Sequence, residues 1–122
     1  MSSHKELKVY QKAMDFVTEI YRLTNLFPSE EKFGLTSQMR RAAISIPSNI
    51  ADGAARKNTK EYVQFLYYSL GSLSEIETQL DLAKRLGFVE NIESLNNANN
   101  EIIYMPTGLI KSLTNKIEKS DK

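Results

Sequence analysis

Four stretches of this chain place apolar residues at three- and four-residue steps, one stretch after another, and no strand-like alternation competes with them. A side chain recurring every 3.6 positions lines one face of a helix, so each stretch reads as an amphipathic helix with a single face to bury. The first runs from about Leu7 to Phe27, with Val9, Ala13, Phe16, Val17, Ile20, Leu23 and Thr24 on its apolar side. Phe27-Pro28 ends it, because the residue before a proline disfavours the α region. The second spans about Leu35 to Ala55, with Leu35, Met39, Ala42, Ala43, Ile46 and Ile50 facing inward and a kink expected at Pro47.

The third pattern is the most regular. Asn58 suits an N-cap and Glu61 would complete a capping box. Tyr62, Leu66, Ser69, Leu73, Ile76, Leu80 and Ala83 then alternate four- and three-residue steps, a heptad seam over 59–86. Gly87 is a natural C-cap. The fourth pattern covers about 91–118, with Leu95, Ala98, Ile102, Met105, Leu109, Leu113 and Ile117 as its stripe. Pro106 and Gly108 predict a bend, and Ser120 to Lys122 a frayed tail. With 122 residues and short links, the expectation is an all-α chain, one domain over 1–122, folded as a single antiparallel up-and-down four-helix bundle.

Composition removes several kinds of chemistry. There is no cysteine, hence no disulfide frame, thiolate metal cluster or thiol nucleophile. The single histidine, His4, falls in what reads as a flexible terminus, so a catalytic triad and the Glu-x-x-His pairs of bundle di-iron sites are both out of reach. No glycine-rich phosphate loop occurs. The reading is therefore no enzyme, no catalytic residue, no metal site and no cofactor. The start carries no apolar leader and no run is long enough to span a membrane, which suits a cytoplasmic protein.

Two local features remain. Between Gln38 and Lys60, Arg40, Arg41, Arg56, Lys57 and Lys60 face one acid, Asp52, a net charge of +4, although the chain's 16 basic and 15 acidic residues nearly cancel. Arginine's fork of donors suits phosphate, making these five a candidate nucleic-acid contact; the competing reading pairs them with acids of neighbouring helices or subunits. The second feature is a run of small residues along the second helix, with Ile44 set by helical angle away from the Ile46–Ile50 face and close to Ala51 and Pro47. That strip makes Ile44 and Ala51 a candidate interface of a homo-oligomer. Tyr67 points outward from the third helix.

The segments LKVYQKAMDF (Leu7–Phe16), FPSEEKFGLTSQMRRAA (Phe27–Ala43), SIPSNIADGAAR (Ser45–Arg56), FLYYSLGSLSEIETQL (Phe65–Leu80) and GLIKSL (Gly108–Leu113) resemble the bacterial 23S ribosomal RNA intervening-sequence proteins, some of which are labelled ribosomal proteins. Asp52, where many members carry glutamate, and Pro106 depart from that pattern. The resemblance implies a four-helix bundle able to form a ring, with five subunits favoured. It also implies kinship with the accessory variability determinant of diversity-generating retroelements, which acts with nucleic acid. The expected partners are RNA or DNA, or a nucleoprotein complex, with a protein-binding scaffold as the alternative.

Overall fold

The computed structural model describes residues 4–120. Four long helices account for most of them: α1 (Lys8–Thr24), α2 (Leu35–Ala54), α3 (Thr59–Arg85) and α4 (Glu93–Ser120), with 3-10 turns at His4–Glu6 and Ser29–Glu31. Among the described residues there is no strand.

Side-chain pairings fix the topology. Arg40 near the start of α2 meets Thr24 at the end of α1, and Gly53 near the end of α2 lies against Tyr62 and Phe65 near the start of α3. Asn99 of α4 reaches back to Leu73 of α3, and Lys12 of α1 pairs with Glu101 of α4. Each helix thus packs antiparallel on the next, and α4 closes the square against α1.

The heptad seam of α3 is the spine of the core. Leu66, Ser69, Leu73, Ile76, Leu80 and Ala83 are fully buried, against Ala13, Phe16 and Ile20 of α1 and Met39, Ala43, Ile46 and Ile50 of α2. Where α2 meets α3 the small residues bring two backbones together. The Ser69 hydroxyl donates to the Ile46 carbonyl at 3.0 Å, and the Ser45 and Ser72 hydroxyls bond to each other. Pro47 sits buried inside an uninterrupted α2.

The helix ends explain where the boundaries differ from expectation. α1 stops at Thr24, three residues short of Phe27, because turn bonds from the Leu26 and Phe27 amides to Leu23 and Thr24 tighten the chain. That fold-in lets Phe27 pack on Phe88, ring centres 5.5 Å apart. The carboxylate of Glu31 then accepts from the Leu35 amide at 3.0 Å, capping α2, in space that Gly34 leaves open. Asn58 caps α3 by accepting from the Lys60 and Glu61 amides. At the other end of α3 the Phe88 amide bonds to the Ala83 carbonyl and that of Gly87 to Lys84, with Gly87 at φ +78°, a Schellman close. Asn91 lies outside α4 and accepts from the Glu93 amide, a cap rather than a first residue.

α4 needs the largest correction. Its buried positions are Asn99, Ile102, Pro106 and Ile110, with Ile92 buried just before its start, whereas Leu95, Ala98, Met105 and Leu109 flank them half-buried. The buried line runs through an asparagine and a proline, which a count of apolar residues passes over. The Asn99 amide donates to the Leu73 carbonyl at 3.0 Å, while its Oδ1 is buried without a hydrogen-bond partner among the described residues. The helix continues through Pro106 and Gly108 to Ser120. The frayed tail expected at Ser120–Lys122 falls, at Asp121 and Lys122, outside the described residues. His4 is not loose either: it opens the first 3-10 turn and its ring packs edge-on to Tyr10 at 4.9 Å.

Candidate functional site

The five basic residues that crowd together in sequence are pulled apart by the helix between them. From Arg40 to Ala54 the rise of α2 is about 21 Å, so Arg40 and Arg41 lie near one end of the bundle and Arg56, Lys57 and Lys60 at the other. Arg40 is engaged within the chain. Its Nε donates to Thr24 Oγ1 at 2.8 Å, its Nη2 to Asn25 Oδ1 at 2.9 Å, and its guanidinium lies 4.4 Å from the Tyr21 ring. Thr24 Oγ1 in turn donates to the Ile20 carbonyl, so the arginine ties the end of α1 to α2. Arg41 is exposed.

Arg56, Lys57 and Lys60 are all exposed around the α2–α3 turn. The Arg56 guanidinium rests 4.7 Å from the Phe65 ring, which holds it off the turn with its donors open to solvent. Among the described residues none of the five makes an ion pair with an acid of its own chain; the pairs present are Lys12–Glu101, Arg22–Glu19 and Arg85–Asp81. The turn also stands at the positive end of α3's dipole.

The up-and-down topology sorts charge along the bundle. Cutting each helix at its middle, the half with the α2–α3 turn (residues 4–16, 45–72 and 107–120) holds nine basic and five acidic residues, net +4. The other half (17–44 and 73–106) holds six basic and nine acidic residues, net −3.

Ile44 and Ala51 lie together, and with them residues that helical angle on α2 alone could not supply. Tyr10, Met14 and Val17 of α1 join Ile44, Pro47, Ser48, Ala51 and Asp52 of α2 around a groove of about 410 Å³. Ile44 and Met14 are each more than two-fifths exposed. The sequence reading found half of this wall; the other half needed the pairing of α1 with α2. Phe33 at 90 % exposure, Tyr104 at 77 % and Leu26 at 73 % were also passed over, because apolar residues in links and on polar faces carry no periodic signal. Tyr67 points outward as expected.

No group of three or more histidine, cysteine or acidic side chains among the described residues is placed to hold a metal ion, and no described helix is long and apolar enough to cross a membrane. Glu101 has its carboxyl held below the usual range, first by the hydrogen bond from Lys12 and then by the charges of Lys12 and Lys8. That is a structural pair on the α1–α4 seam.

Comparison with known proteins agrees with the fold. The sequence model of one family, described as 23S rRNA-intervening sequence protein, matches residues 5–108. Among solved structures, a protein of unknown function from the S23 ribosomal protein family of Bacteroides thetaiotaomicron is 25% identical, with a TM-score of 0.78 over 84% of this chain and 98% of that one. No curated protein matches the chain.

Proposed function

The chain belongs to the family of 23S rRNA-intervening sequence proteins, and from that membership we propose that it is a non-catalytic, oligomeric helical module of the cytoplasm that associates with RNA or a nucleoprotein complex. The observation that carries the reading is the trio Arg56, Lys57 and Lys60, exposed on one turn, with no acid of the described chain neutralising them. Arginine and lysine on a convex turn suit phosphate oxygens rather than base edges, so binding is general in sequence. One copy offers few contacts. A ring, with five subunits favoured, repeats them and turns weak contacts into a useful total. The groove between α1 and α2, with Ile44 and Ala51 in its wall, is the proposed subunit contact.

The test is binding of structured RNA and of DNA to the assembled protein at several salt concentrations. Affinity should fall steeply as salt rises, since phosphate contacts release counterions. Replacing Arg56, Lys57 and Lys60 by glutamine should weaken binding and flatten that dependence with assembly intact. If the intact oligomer binds neither nucleic acid at low salt, the reading fails. The same apolar groove then favours a scaffold that binds only protein.

A further inference from the structure

We infer that the last three turns of α4 are the second half of an RNA-phosphate surface, one that wraps the end of the bundle carrying the α2–α3 turn. The inference rests on the RNA-associated reading above and adds residues that the five-residue cluster did not contain.

Helix length comes first. The bond from Asn99 to the Leu73 carbonyl sets the register of α4 on α3. From that point toward the turn, α3 has 14 residues to its start at Thr59, about 21 Å, and α4 has 21 to its end at Ser120, about 32 Å. α4 therefore runs about two turns beyond the start of α3, past the level of Lys60 and the α2–α3 turn. The family match stops at residue 108, so this projection lies outside the matched part of the chain.

The projection is two-faced. At about 100° per residue, Lys111, Ser112, Asn115, Lys116 and Lys119 fall within an arc of about 140°. Ile110, Leu113 and Ile117 fall on the opposite side. The burial agrees: Ile110 is buried, Leu113 and Ile117 are half-buried, and the three lysines are exposed. Ser112, Asn115, Lys116 and Lys119 together line a shallow surface groove of about 470 Å³. One acid, Glu118, lies in these turns. Lysines five and three residues apart, with short polar residues between them, spread positive charge over that one face, which suits a phosphate backbone, with hydroxyl and amide groups to accept or donate beside it.

The surroundings extend the field. Lys5 in the turn before α1 and Lys8 at its start are exposed at the same end, which carries the bundle's net +4 while the far half carries −3. An RNA approaching the molecule meets an attractive end and a repulsive one, and that polarity orients it before contact. A neutral or cationic protein partner would gain nothing from the arrangement.

The experiment uses the full chain in its native assembly, with a structured RNA as probe over a series of salt concentrations. The variant carries Lys111→Gln, Lys116→Gln and Lys119→Gln, and a charge-keeping control carries arginine at the same three positions. The glutamine variant should bind about tenfold or more weakly at about 0.1 M salt, and its slope of log affinity against log salt should be shallower by about 2. The arginine control should match the parent. If the glutamine variant keeps the parent's affinity and slope while the Arg56/Lys57/Lys60 variant loses both, the RNA reading stands and the α4 surface is overturned. If the parent does not bind RNA, the RNA reading falls and the inference with it. Lysine-dependent binding to vesicles of anionic phospholipid, with RNA binding unaffected, also overturns the inference, because the projection then serves a membrane surface.

Discussion

A methyl group at position 53 has nowhere to go. A Cβ there would lie 2.9 Å from Phe65 Cβ and 3.0 Å from Tyr62 Cδ1, so glycine is what lets the end of α2 lie against the first turns of α3. At Gly71, on the exposed side of α3, a Cβ meets no atom within 4 Å. One substitution therefore has opposite signs at two positions. Gly53→Ala should destabilise the fold by about 1–3 kcal/mol through overpacking. Gly71→Ala should stabilise it by about 0.5–1 kcal/mol by removing backbone freedom from a helix interior. Denaturant unfolding of the two variants decides it; a neutral Gly53→Ala would mean that α2 and α3 are not this close. Both glycines look alike in the sequence, among small residues. Whether smallness serves packing depends on which face meets a neighbour, and only the fold supplies that.

At the scale of the helices, most of the plan was legible, and α4 shows where legibility ended. The α3 seam was readable because every third or fourth residue from Leu66 to Leu80 is apolar or small and nothing contradicts it. In α4 the packing centre falls on Asn99 and Pro106, residues that hydropathy assigns to water or to a bend, so the sequence reading set the stripe to one side. The basic cluster misled in another way: neighbours in sequence became opposite ends of a long helix, one of them, Arg40, bound up in joining α1 to α2. α4 is also tied to α1 by Lys12 and Glu101, and that tie has a pH signature. The Glu101 pKa is lowered in the folded chain, chiefly by the hydrogen bond from Lys12. A carboxylate with a lowered folded pKa adds stability above its unfolded pKa and loses it as pH falls through the folded value. NMR titration should find Glu101 below the ordinary carboxylate range, and Lys12→Gln should return it toward that range. The stability gap between parent and variant should close on acidification. Glu101 is exposed and Lys12 only half-buried, so the gap should be small and shrink with salt.

For the whole molecule, the question is what covers the face shared by α1 and α2. A bundle of this size can bury its own core, and this one does: Ile46, Ile50, Leu66, Leu73, Ile76 and Leu80 have no accessible surface. Ile44 and Met14 are then exposed apolar surface that the core does not require, gathered on one groove beside the half-buried Tyr10 and not scattered. Gathered apolar surface marks a contact. A second copy of the chain is the expected occupant, given the ring proposed above. Ile44 is the residue on which to test this, because it is 42 % exposed in the single chain, so a charge there costs the isolated bundle little. In an assembled interface the same charge would lose its water without gaining a partner. Ile44→Glu should therefore leave circular dichroism and the unfolding of the isolated bundle nearly unchanged while shifting light scattering from an oligomer toward single chains. Ala51→Glu, two helical turns further along the same wall, should act alike. A parent protein that is monomeric at micromolar concentration would remove the claim, and so would an Ile44→Glu variant that assembles as well as the parent. Loss of helicity along with assembly would point elsewhere: Ile44 would then be supporting the fold of its own chain, a role its exposure argues against.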